Sequence, residues 1–161
     1  MKPLIVISDT PLEVTCLSIG VYGHALRRGD VYQVRKEQAG KYRVMGRHGK
    51  AIWVAKEYFQ KGRVKLPMLE SWVFDDDPDE TNFVELTLTL NDGNRRWCSV
   101  TTPQKLADHY REEHVEPFGI FDPHLLIMET LDPDAMQKML IHLENRDELL
   151  QATMPLSVSD P

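Results

Sequence analysis

Phe83-Val84-Glu85-Leu86-Thr87-Leu88-Thr89-Leu90, then Asn91-Asp92-Gly93-Asn94, then Arg95-Arg96-Trp97-Cys98-Ser99-Val100-Thr101 is the stretch that decides the fold. Val84, Leu86, Leu88 and Leu90 alternate with Glu85, Thr87 and Thr89. That period of two puts the apolar set on one face of a strand and the polar set on the other. Asp92-Gly93 tolerates the positive φ that a tight reversal requires, so the two runs read as the arms of a hairpin. A half-buried hairpin needs something apolar to cover it, and the flanking sequence supplies candidates.

Downstream, Thr101-Thr102-Pro103-Gln104 reads as a helix start. Thr102 can cap, and Pro103 suits the first helical position, where no N–H is needed. Alternatively, Thr101 and Gln104 fit a capping box. His124-Leu125-Leu126-Ile127-Met128 is an apolar run of strand length and is expected to be buried. Asp132-Pro133 repeats the cap-plus-proline start. Met136, Met139, Leu140 and Leu143 then recur at i, i+3, i+4 and i+7, an amphipathic helix. Glu148 to Ala152 adds a short helix, and Pro155 to Pro161 is expected to fray. Upstream of the hairpin, Leu69 to Phe74 reads as a further strand, closed by the acidic loop Asp75-Asp76-Asp77-Pro78-Asp79-Glu80. The order β-β-α-β-α indicates a small antiparallel sheet with two to three helices on one face, an α+β module.

The first 60 or so residues have a different texture. Leu4 to Ile7, the alternating Leu12, Val14, Cys16 and Ser18, Val31 to Val34, Tyr42 to Met45 and Ala51 to Val54 are short strand candidates separated by Gly-containing turns. Ala55 to Phe59 reads as one helical turn. This is the pattern of a small antiparallel meander or barrel. The expected domains are therefore a barrel over 1–62, an α+β domain over 68–155 and a disordered tail over 156–161.

Charge divides the chain at the same place. The 161 residues carry a net charge of −6. Residues 1–65 hold 13 Lys+Arg against 5 Asp+Glu, a net +8, and residues 66–161 hold 6 against 20, a net −14. Such asymmetry points to separate modules or separate partners. The 42% apolar and 27% charged composition is that of a globular chain. The longest apolar run, Leu4 to Ile7, is too short for a membrane helix, and the N-terminus has no secretory pattern. Cys16 and Cys98 have no metal or redox spacing, which suits reduced thiols and a cytoplasmic protein.

Motifs for chemistry are missing. Asp75-x-Asp77-x-Asp79 opens like a calcium loop, but Glu80 and Leu86 stand where glycine and glutamate would be needed. The six histidines form no H-E-x-x-H motif. Cys98, on a strand between Trp97 and Ser99, reads as a packed core thiol rather than a nucleophile. No catalytic residue, metal site or cofactor is expected.

Two resemblances add to this reading. Leu26-Arg27-Arg28-Gly29-Asp30-Val31-Tyr32-Gln33-Val34, Tyr42-Arg43-Val44 and Gly49 to Phe59 resemble a small bacterial Src-homology-3-like barrel pattern. Ser71 to Asp75, Phe83 to Leu86 through Asp92-Gly93, and Arg96 through Thr102-Pro103-Gln104-Lys105-Leu106 resemble immunity proteins of bacterial polymorphic toxin systems and related uncharacterised bacterial proteins. Within residues 70–150, that resemblance implies a non-enzymatic protein that binds a basic partner. An acidic surface would steer such a partner and select it. The candidate contacts are Asp75, Asp76, Asp77, Asp79, Glu80, Glu112, Glu113 and Glu116. Trp53, Trp72 and Trp97 are expected in the cores rather than at an interface. The second reading is a nucleic-acid or anionic-ligand module acting through Arg27, Arg28, Arg43, Arg47 and Lys50, whose neighbours Tyr32, Tyr42 and Trp53 could stack on bases. An uncharacterised enzyme is the third.

Overall fold

A computed structural model describes residues 11–112 and 119–156. The strand expected at Leu4 to Ile7 and the candidate contacts Glu113 and Glu116 lie outside the described residues. The chain divides into two compact units, Met1–Leu66 and Pro67–Pro161.

The first unit is an antiparallel sheet of five strands: β1 (Glu13–Cys16), β2 (Val31–Gln38), β3 (Lys41–Met45), β4 (Ala51–Ala55) and β5 (Phe59–Lys61). Their hydrogen-bonded order is β4-β3-β2-β1-β5. Inward positions alternate as the pleat demands: Val14, Cys16, Tyr32, Tyr42, Val44 and Val54 are buried, with Leu26 and Phe59 completing the cluster. A 3-10 turn, Lys56–Tyr58, joins β4 to β5 at the opposite edge. Four flat inter-strand gaps would span roughly 19 Å, while the four steps from Ala55 to Phe59 reach only about 14 Å, so the sheet has to coil. Among the described residues β4 and β5 do not pair, and no closed barrel is found. The short strand β5 was not expected from sequence.

The second unit is built on β6 (Leu69–Phe74), β7 (Val84–Leu90) and β8 (Arg95–Thr101). The β7–β8 ladder runs in register from Val84↔Val100 to Thr89↔Arg95, as the alternation requires. At the reversal, Gly93 takes φ 84°, and the Asn94 N–H donates to Asp92 Oδ1 at 2.9 Å. Helix α1 (Pro103–Glu112) starts as expected, with the Lys105 N–H bound to Thr102 Oγ1 at 3.1 Å. Helix α2 (Pro133–Asn145) and the single turn α3 (Leu149–Ala152) place Met136, Leu140, Leu143 and Leu149 on the apolar face of β7 and β8. Each fully buried Leu or Val there contributes about 1.5–3 kcal/mol.

Two features of this unit differ from expectation. Strand β9 (Leu125–Ile127) pairs parallel to β8. It is not a buried strand: it has only one partner among the described residues, and Ile127 is 58% exposed. The segment after α3 does not fray where expected either. Met154–Pro155 forms β10 against β8, and the Leu156 N–H donates to Arg95 O at 2.9 Å. Pro155 lacks a ladder donor and is tolerated at this edge position. No helix among the described residues is long and apolar enough to cross a membrane.

Candidate functional site: an acidic loop and its cleft

Between β6 and β7 the loop 75–80 carries Asp75, Asp76, Asp77, Asp79 and Glu80. Its own side chains fix its backbone. Asp75 continues the ladder, its N–H donating to Glu85 O at 2.8 Å, and its carboxylate accepts the Thr87 hydroxyl, 2.7 Å from Oδ2. Asp76 Oδ2 accepts the Glu85 N–H at 3.1 Å. Asp77 Oδ1 accepts the Asp79 N–H at 2.9 Å, and Asp77 O accepts the Glu80 N–H at 3.0 Å. Asp and Asn favour such turns because a short carboxylate can replace a backbone acceptor.

Lys105, on the first turn of α1, holds the far side of the loop. Its ammonium donates to the carbonyls of Pro78 and Thr81, the latter at 2.8 Å. None of the five loop carboxylates is ion-paired among the described residues. Asp75, Asp77, Asp79 and Glu80 are exposed and Asp76 is half-buried. Glu112, at the end of α1, is also exposed and lies 3.5 Å from Asn82 Nδ2, just past the loop.

The loop forms one wall of an open cleft of about 600 Å³. Asp79, Lys105, Glu129 and Asp132 line it, with Phe74 and Leu131 as apolar lining. Asp132 occupies the N-cap of α2, where its side chain makes no capping hydrogen bond, contrary to the expected cap, and the residue lines the cleft. Glu129 and Asp132 lie some fifty residues from Asp79 in sequence, so spacing alone gave no sign that the three converge. The unused signal was Glu129 beside the cap position at the end of an apolar strand.

The basic candidates separate. Arg28 is buried, 6% exposed, and cannot present its guanidinium to a phosphate; Leu26 and Arg28 turn inward while Arg27 faces solvent. Arg47 and Lys50 are exposed in the β3–β4 turn. Arg43 is half-buried on β3, with its guanidinium carbon 5.8 Å from the centroid of the Trp53 ring. Tyr32 and Tyr42, proposed as stacking partners for bases, are core residues. Trp53, Trp72 and Trp97 are each half-buried; only Trp72 packs against a core cluster, beside Phe74.

Cys16 and Cys98 are free and fully buried, and burial pushes both thiols up to about 12. Among the described residues no group of three His, Cys, Asp or Glu side chains is placed to hold a metal ion. No family model, no curated protein and no solved structure matches this chain.

Proposed function

We propose that this chain is a non-enzymatic binding protein whose acidic second unit docks a cationic protein partner, in the manner of the immunity proteins that residues 70–150 resemble. The observation that carries the reading is the cleft beside loop 75–80. Three carboxylates from two separate segments, Asp79 of the loop and Glu129 and Asp132 of the β9–α2 connection, share its lining with Phe74 and Leu131. An arginine or lysine of the partner would lay its aliphatic stem on the apolar lining and bring its head to the carboxylates. The only cation lining the cleft among the described residues, Lys105, has its ammonium on backbone carbonyls. The rigid loop adds Asp75, Asp76, Asp77 and Glu80 as a long-range field that speeds encounter with a basic surface.

The first unit is then a Src-homology-3-like module. Its strand order, its coiled sheet and the 3-10 turn before β5 support that reading. Two buried free thiols agree with a cytoplasmic setting.

The test uses the full chain and a fluorescein-labelled oligoarginine peptide, read by anisotropy. Asp79→Asn with Glu129→Gln should weaken binding about tenfold, roughly 1.4 kcal/mol. Glu70→Gln with Glu148→Gln removes the same charge away from the cleft and should change it little. Equal losses from both pairs would reduce the effect to net charge and defeat the site.

A further inference from the structure

A separate surface of the first unit has a different chemistry. Two of the four carboxylates among the unit's described residues are ion-paired: Glu13 with Arg63 through two contacts, 2.7 and 3.0 Å, and Glu37 with Lys56. Glu57 is exposed on the 3-10 turn, and Asp30 is half-buried. The cations on the outward positions of β2 and in the β3–β4 turn have no such partners. Arg35, Lys36 and Arg47 are exposed and make no ion pair among the described residues.

Register brings them together. An irregularity between Val34 and Lys36 inserts Arg35 into β2, so that Lys36 stands opposite Arg43. Arg43 in turn stands opposite Trp53 on β4 and rests against its ring. Arg35 and Arg47 line an open groove of about 380 Å³ with Gln33, Met45 and Asp30. The outer face of β2–β3–β4 thus combines a row of cations with an aromatic–guanidinium platform beside a groove.

We propose that this face binds single-stranded nucleic acid, with Arg35, Lys36 and Arg47 on phosphates and the Arg43–Trp53 pair as the platform on which a base stacks. Phosphate contacts need mobile, unpaired cations, and stacking needs a π-surface held within their reach. Asp30 at the rim of the groove disfavours a phosphate beside it, so the backbone tracks along Arg35, Lys36 and Arg47 rather than over β1. The aromatic component selects a nucleic acid over a polyanion without bases.

The experiment measures binding of the full chain to fluorescein-labelled oligothymidine by anisotropy across a salt series. Arg35→Glu with Arg47→Glu should lower affinity at low salt by about tenfold or more. It should also flatten the log–log salt slope by about 1.4, the value for two lost contacts to a single strand. Arg43→Ala should lower affinity without flattening the slope by more than one contact. Arg95→Glu with Lys138→Glu, exposed cations of the second unit, should leave binding within twofold of the parent. Thermal unfolding midpoints near the parent's would establish that the variants remain folded. No binding at low salt, or equal losses from both reversal pairs, overturns the proposal. Inorganic polyphosphate competing as well as oligothymidine at equal phosphate would overturn the base-stacking component, and with it the assignment to nucleic acid.

Discussion

Lys105 Nζ lies 2.8 Å from Thr81 O and also contacts Pro78 O, so a helix-borne ammonium closes the acidic loop from behind. The contact places the one cation that lines the cleft among the described residues on backbone carbonyls and holds the loop at the same time. A charge-assisted bond of this kind contributes more than a neutral one, and its loss leaves carbonyls to be resolvated.

Replacing the ammonium while keeping the stem isolates that role. Lys105→Met should lower unfolding stability by about 1–3 kcal/mol and speed amide exchange at Asp79 and Glu80. Exchange at the Leu86 and Leu88 amides in the core strand should change only in step with global stability. Unchanged exchange in the loop would mean that the turn hydrogen bonds of Asp77 suffice without Lys105.

The buried thiols make a second prediction. With both pushed up to about 12 by burial, neither is a thiolate near neutral pH, and neither is reachable. A disulfide reagent at pH 8 should label neither Cys16 nor Cys98 in the native chain, and should label both in denaturant. Rapid native labelling of Cys98 would contradict its place beneath α2.

Stability of the first unit should depend on acid in a defined sense. The Arg63 hydrogen bond holds Glu13 below the usual carboxylate range, and the Lys56 hydrogen bond does the same for Glu37. Depressed folded-state values mean that the unfolded chain binds more protons, so stability rises with pH in that range. The contribution is fully present above the ordinary glutamate value and is lost as pH falls through the lower folded values. Protection factors across the β1–β5 ladder, with the intrinsic pH dependence of exchange divided out, should therefore fall on acidification, and Glu13→Gln with Glu37→Gln should flatten that dependence. Both pairs lie at the surface, so high salt should shrink the effect. A pH dependence identical in the double variant would contradict the assignment.

The hairpin 84–101 could be read from the sequence because its alternation is long enough to set a face, and Asp92-Gly93 marks the reversal. Helix α2 was legible for the same reason at a period of 3.6. Strands β5 and β10 were not, since Phe59–Lys61 and Met154–Pro155 are too short to show a period and owe their conformation to the strands they join. Arg28 misled because two adjacent arginines look like a surface pair, while the turn buries the second. The acidic loop could be found as a cluster, but its cleft could not: Glu129 and Asp132 reach it only through the parallel docking of β9 on β8 and the start of α2. The local trace, Glu129 beside the cap position, does not say which loop it meets.

The most direct measurement is an amide chemical-shift titration of the isotope-labelled full chain with the oligoarginine peptide. Saturable shifts concentrated on Asp79, Glu80, Glu129, Thr130 and Asp132, with Glu70 and Glu148 unmoved, are what the cleft requires. Shifts spread evenly over the acidic residues of the second unit, or shifts that never saturate, would contradict it.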